Sequence, residues 1–253
     1  MKSSTSYRIN IDDVGFCPEV VQSLEELSVY GVPLYASWMA NFQWPSTGVT
    51  QVPNIFHGIH LNLMEGRSLT RGTHANADGF FFRPWLAFVF PSRKLKLDVE
   101  GEIEAQICTA RERIQNLSHL DSHLHLHAIP WLYRLVLNYA KKFDIPWVRD
   151  PSQKLNDSVP TPKTLLLDFL RLSRPKAGSD FRCYGIHRTF RMSSSACLKK
   201  IEQEPREFIW HPLAKLPVIL PEGMRFISKE QMLLRVQEHQ QLRQLLQALS
   251  QSS

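Results

Sequence analysis

The segment His119-Leu120-Asp121-Ser122-His123-Leu124-His125-Leu126-His127 alternates without a break: every odd position is His or Asp, and every even one is Leu or Ser. A period of two places successive side chains on opposite faces, as on a β-strand. One face of such a strand carries five polar groups. Buried imidazoles in that number need partners, and a metal ion is the natural one. Length limits how many can share it. At ~3.3 Å per residue, His119 and His127 lie roughly 26 Å apart on an extended strand. One ion therefore takes one or two of them, and the others orient ligands, touch substrate or lie beyond the strand end. The alternative, a solvated His-rich loop, does not account for the regular leucines.

Helix and strand signals flank this segment on both sides. Upstream, Ile103, Ile107, Ala110, Ile114 and Leu117 recur at steps of four and three, which predicts a helix buried along one face, with Asp98 as its N-cap. Downstream, Pro130 opens a helix with Leu132, Leu135, Val136, Tyr139 and Phe143 inward, and Ile145 to Val148 reads as a short strand. Nearer the start, Tyr7 to Ile11, Pro33 to Met39 and Ile55 to Leu61 read as strands, with a helix from Pro18 to a stop at Gly31. Phe208 to Trp210 reads as a late strand. Ser228 and Gln231 form a capping box for a C-terminal helix at about 228–250, expected to pack on the core or on a second copy of the chain.

Strands alternating with helices predict an α/β fold built on a parallel sheet or barrel. No internal repeat or domain boundary interrupts it, so residues 1–253 read as one domain. Met64 to Lys96 and Pro151 to Asp180 are too long for ordinary connections and are expected to be substrate loops.

With 253 residues, 43% hydrophobic and 21% charged, the composition is globular. No run approaches the ~20 apolar residues of a membrane helix; the nearest, Phe80 to Phe90, is broken by Arg83 and Pro84. The polar start of the chain has no apolar signal region, which predicts a cytoplasmic protein. Cys17, Cys108, Cys183 and Cys197 form no C-x-x-C pair, which argues against a cysteine zinc site and a disulfide framework. The net charge of +6 comes from small basic clusters rather than a nucleic-acid motif, so no nucleic-acid partner is expected.

Three further pieces carry chemistry. Asp12-Asp13 ends the first strand, where the chain turns and both carboxylates can reach one site; buried together they need a cation or a shared proton. His60 lies in an apolar alternating run. His211, followed by Pro212, closes the late strand, at the end where barrel chemistry collects. His57 and His74 lack such settings and read as structural.

In this order, Asn10 to Gly15, Gly58 to Leu63, Ser118 to His127 and Glu207 to Pro212 resemble the N-A-D-D-F-G, G-x-H-x-x-L, T-H-x-D-S-H-x-H-x-H and E-x-x-x-H-P-G segments of the YdjC-like carbohydrate deacetylases. Ser37 to Asn41 and Val148-Arg149 also look like family strand segments, so the resemblance spans roughly residues 8 to 212. It implies a distorted β/α barrel resembling the polysaccharide deacetylases. It also implies a metal-dependent hydrolase that removes N-acetyl groups from amino sugars or short chitooligosaccharides. Carried over by position, Asp13, His60 and His123 are the metal ligands, Asp12 the general base and a positive His211 the general acid. His125, His127, Asn62, Arg149 and Glu207 fall behind the ligands or near substrate.

The implied cofactor is one divalent ion, Mg²⁺ by resemblance, whereas the His and Asp ligands suit Zn²⁺ or another transition metal. The departures Ile11, Val14 and Leu213 are expected to reshape the pocket. Trp44, Phe80, Phe82 and Trp85 could stack on sugar rings, with core packing the commoner role. Two other readings remain: an H-x-H type metal-dependent phosphoesterase or amidohydrolase, and a non-catalytic carbohydrate-binding relative.

Overall fold

Alternation in the strands sorts side chains into two layers. In β1 (Tyr7–Val14), Ile9 and Ile11 are fully buried in the apolar core, while Asn10 and Asp12 face a polar interior. The same division recurs in β2 (Leu34–Trp38), β3 (Ile55–Leu61) and β4 (His119–Ser122), where Ser37, His60 and Asp121 join that interior. β5 (Trp147–Val148), β6 (Arg182–Tyr184) and β7 (Arg206–Trp210) complete the set. All pairings are parallel, in the order β5-β4-β3-β2-β1-β7-β6. The seven strands curl into an open half-barrel with helices outside, a distorted α/β barrel. The structure is a computed structural model that describes residues 7–42, 44, 48–152, 165–166, 169–170, 172–173, 181–186, 192–201, 203, 205–217 and 219–251.

The helices bury one face each. Among the described residues these include α1 (Pro18–Ser28), α2 (Arg93–Arg111), α3 (Pro130–Lys142), α4 (Ser194–Ile201) and α5 (Lys229–Gln251). Pro18 and Pro130 stand in first turns, where a missing N–H costs nothing. The expected capping box forms: Ser228 accepts from the Gln231 amide, and Gln231 from that of Ser228. Among the described residues no helix is long and apolar enough to cross a membrane, and no disulfide forms.

Several expectations are corrected. Asp98 is not an N-cap. Ser92 caps α2 by accepting from the Leu95 amide, and Asp98 lies inside the helix, accepting from Thr73. The His-rich segment is a strand only as far as Ser122. Leu124 and His125 both have φ 55°, in the left-handed region, and the chain turns through a short 3₁₀ segment, His123–Ala128. Its alternation continues in sequence because Leu126 still enters the core while the histidines turn elsewhere. Met64 to Lys96 is more ordered than a loop: it holds the bridges Arg67↔Phe80 and Ala75↔Phe81, a 3₁₀ turn at Trp85–Phe88 and the start of α2. Most of Pro151 to Asp180 lies outside the described residues. β6 is an element that sequence patterns did not reveal.

One glycine is dictated by packing. A Cβ on Gly58 would lie 2.3 Å from Nδ1 of His119. That ring cannot yield, because it stacks on Trp147 at 4.6 Å and bonds Ser37 and Ser118 through its two nitrogens. Gly58→Ala is therefore expected to destabilise the fold by about 1–3 kcal/mol. A thermal melt should show this as a drop of roughly 2–4 °C per kcal/mol; an unchanged midpoint would contradict the packing described here.

Candidate metal centre

Asp12, Asp13, His60, His123, His125 and His211 lie at or just past the carboxyl ends of strands, the mouth of a parallel barrel. Adjacent residues on a strand point to opposite faces, so Asp12 and Asp13 need a departure from regular β geometry to meet. β1 supplies it: its register against β2 shifts between Ile11 and Val14, and Asp13 has φ 59°. Aspartate is among the few non-glycine residues that enter this region readily. The turn aims both carboxylates into one cavity of about 250 Å³, together with His60, His123, His125 and His211. Phe226, Ile227, Gln231 and Arg235 also line it.

Two imidazoles converge on Asp13. Its Oδ1 lies 2.9 Å from Nδ1 of His123 and 3.2 Å from Nε2 of His60. Donor atoms of the three residues all lie within 4.8 Å of one another. The far nitrogen of each ring meets a carboxylate. Nδ1 of His60 is 2.6 Å from Asp121 Oδ1, and Nε2 of His123 is 3.0 Å from Glu65 Oε2. Carboxylates in these positions fix the orientation of metal-ligating histidines and the nitrogen left open. The donor set therefore fits a divalent ion.

A second cluster, Asp12 with His60 and Asp121, has comparable spacing. It fits poorly, because the Arg149 guanidinium already occupies both Asp12 oxygens and lies 2.7 Å from Asp121 Oδ2.

Electrostatics separate the two aspartates. Burial opposes ionisation of Asp13, but Arg235 and His123 outweigh it and hold the carboxyl well below its usual range. Burial likewise opposes a charged His60, yet Asp121 and Asp12 outweigh it and raise the imidazole to about 10. Asp12 is bonded to a different set of groups. It accepts two bonds from Arg149, at 2.8 and 2.7 Å, and one from Asn10 at 2.6 Å. Arg149 also donates to Glu207 at 2.7 Å. Its buried cation is thus surrounded by three carboxylates, Asp12, Asp121 and Glu207.

His211 follows β7, with Nε2 3.9 Å from Asp12 Oδ2. Burial pushes its imidazole down to about 4, only partly offset by Asp13 and Asp12. This shift works against the positive ring that the resemblance implies.

The predicted site residues thus divide. Asp12, Asp13, His60, His123, His125 and His211 line the cavity; Arg149, Glu207, Asn62 and His127 do not. His127 braces the turn, meeting Ser122 Oγ at 2.5 Å and the Arg149 carbonyl at 3.1 Å. Asn62 shapes the loop after β3, its Oδ1 accepting the amides of Met64 and Glu65. His57 and His74 are structural, bonded to Trp38 and Ser68.

Trp44 packs in the core, its indole donating to the Met39 carbonyl, and it is not at the mouth. Trp85 is half-buried against the core, whereas Phe80 and Phe82 line a separate surface cavity of about 390 Å³. Ile11, Val14 and Leu213 are fully buried and line no wall of the site cavity, so these departures act on core packing.

Glu65, Asp121, Arg235 and Glu238 were not assigned site roles from sequence. Asp121 was marked by its position in the alternating row. Arg235 donates to Asp13 Oδ2, and Glu238 accepts from the His211 amide at 2.7 Å. Both come from α5, whose apolar periodicity read only as packing.

The family profile described as YdjC-like protein matches residues 8–248. A carbohydrate deacetylase of Geobacillus stearothermophilus is 28% identical over 169 residues, 64% of this chain and 66% of that protein. One of Brevibacillus brevis is 29% identical over 147 residues, 56% and 58% of the two chains. One of Danio rerio is 29% identical over 150 residues, 55% and 48%. The aligned stretches thus span about half to two thirds of these relatives' length. An Enterococcus faecalis V583 crystal structure, provisionally described as a cellobiose-phosphate cleavage protein, superposes with a TM-score of 0.68 at 20% identity, covering 97% of this chain and 93% of that one. That likeness concerns the fold alone. A profile match over nearly the whole chain, on a barrel whose mouth gathers the matching residues, makes this protein a member of the YdjC-like family.

Proposed function

We propose that this protein hydrolyses the N-acetyl group of an amino sugar or short chitooligosaccharide, using one divalent ion held by Asp13, His60 and His123. The observation that carries the reading is the division of the aspartate pair. Asp13 faces two histidines, while Asp12 faces Arg149 and His211. When bound, the ion supplies Lewis acidity toward water and the acetyl carbonyl. The His and Asp donors favour Zn²⁺ or another transition metal, whereas Mg²⁺ rests on family resemblance.

The chain's own residues handle the proton. Arg149 and Asn10 fix the plane of the Asp12 carboxylate. Its Oδ2, on the side of His211, accepts the proton of the attacking water. His211 Nε2 lies 3.9 Å from Asp12 Oδ2, so it receives that proton through one bridging water or on closing to hydrogen-bond distance, and delivers it to the departing nitrogen. Water oxygen bonds to the acetyl carbon, the carbon–nitrogen bond breaks, and the products are acetate and a free amine. Arg235 holds Asp13 from the side opposite the histidines. The carbohydrate deacetylase names of the relatives support the choice of leaving group.

The test is acetate release from acetylated amino sugars of graded length by metal-reconstituted protein, with phosphate release from sugar phosphates followed in parallel. Acetate release is the expected result. Phosphate release alone would favour the phosphoesterase reading. Sugar binding without turnover, with metal present, would favour a carbohydrate-binding role.

A further inference from the structure

Glu65 lies on the loop after β3, fully buried, and its two oxygens serve two different elements. Oε2 meets Nε2 of His123 at 3.0 Å. Oε1 accepts the backbone amides of Arg225 at 2.9 Å and Phe226 at 2.6 Å. Phe226 and Ile227 line the cavity together with the histidines. The backbone at Glu65 is itself clamped: Asn62 Oδ1 accepts its amide, and Asn62 and Asn41 both donate to its carbonyl, at 2.7 and 3.0 Å. So many contacts leave the carboxylate little freedom.

We infer that Glu65 is a positioning residue that sets which nitrogen of His123 is open to the metal and joins that ring to the segment at Arg225 and Phe226. The inference rests on the metal reading above. His123 presents Nδ1 toward Asp13, so an ion shared by the two would require the lone pair on Nδ1 and the hydrogen on Nε2. Glu65 accepts that hydrogen, as Asp121 accepts the one on Nδ1 of His60. The two rings use opposite nitrogens because they arrive from different backbone settings, His60 from within a strand and His123 from the turn after β4. A fixed acceptor behind each ring is what lets two unlike approaches converge on one oxygen of Asp13.

Glu65→Gln separates the two tasks of this side chain. The amide oxygen can still accept from Arg225 and Phe226, while the amide nitrogen turned toward His123 becomes a donor and favours the wrong tautomer. Zn²⁺ affinity, measured by chelator competition, is expected to fall about 10–100-fold relative to wild type. A role in folding alone would lower the melting temperature and leave Zn²⁺ affinity unchanged, and that outcome overturns the inference. Should the variant fail to fold, nitrogen NMR of Zn²⁺-loaded wild type decides the matter. Coordination of His123 through Nδ1 with hydrogen on Nε2 supports the inference, and coordination through Nε2 overturns it. A wild type that binds no divalent ion sinks the metal reading itself. Wild type and variant that bind equally sink only the role of Glu65.

Discussion

Asp12→Asn is expected to lower turnover by a factor on the order of 10²–10⁴, the usual contribution of a positioned general base, while the metal content stays at the wild-type level. Asn retains the shape of Asp12 and one oxygen for Arg149 and Asn10, but it cannot take a proton from water at neutral pH. Arg149 keeps Asp121 and Glu207 as partners, so the fold survives the change. Metal content is the informative control. The candidate ion is assigned to Asp13 and the two histidines, and Asp12 oxygens are engaged by the guanidinium instead. Steady-state kinetics and elemental analysis on one preparation test both halves. A variant that keeps a tenth or more of wild-type turnover removes Asp12 as the base, and one that loses its metal makes Asp12 a ligand.

His123→Ala has the larger effect on the metal. It removes one of three donors, so its effect on affinity should exceed the ~10–100-fold loss typical of an outer partner, with activity falling in parallel. The matched control is His127→Ala in the same His-rich segment. His127 braces Ser122 and the Arg149 carbonyl, away from the cavity, so its loss should cost stability and leave the metal bound. Full metal content in His123→Ala, or metal loss confined to His127→Ala, would refute the ligand assignment.

Much of this site was legible from residue order. Asp12-Asp13, His60 and His211 each sit at or near the end of an apolar strand pattern, His123 lies within the alternating row, and parallel strands put the strand ends at one mouth. The motifs also carried the α/β class and most strand positions, because burial on one face imposes a two-residue rhythm that survives in sequence. The division of labour among the odd-numbered histidines was less accessible. An alternating row reads as one strand, and only the left-handed backbone at Leu124 and His125 shows the face breaking after Ser122. His123 turns inward to Asp13 and His127 turns back to the barrel frame.

By itself, then, the sequence determined the α/β class, most strand positions, and the carboxylates and imidazoles that stand near the strand ends. These are local properties, written in hydrophobic rhythm and residue type. The tertiary structure alone decided which carboxylates hold those residues in place. Glu65 joins His123 across 58 positions, Arg149 joins Asp12 across 137, and Arg235 joins Asp13 across 222. No local pattern encodes such pairings. They exist because a curled parallel sheet brings the carboxyl ends of distant strands, and one face of the last helix, around a single buried cavity, where each charge must find a partner.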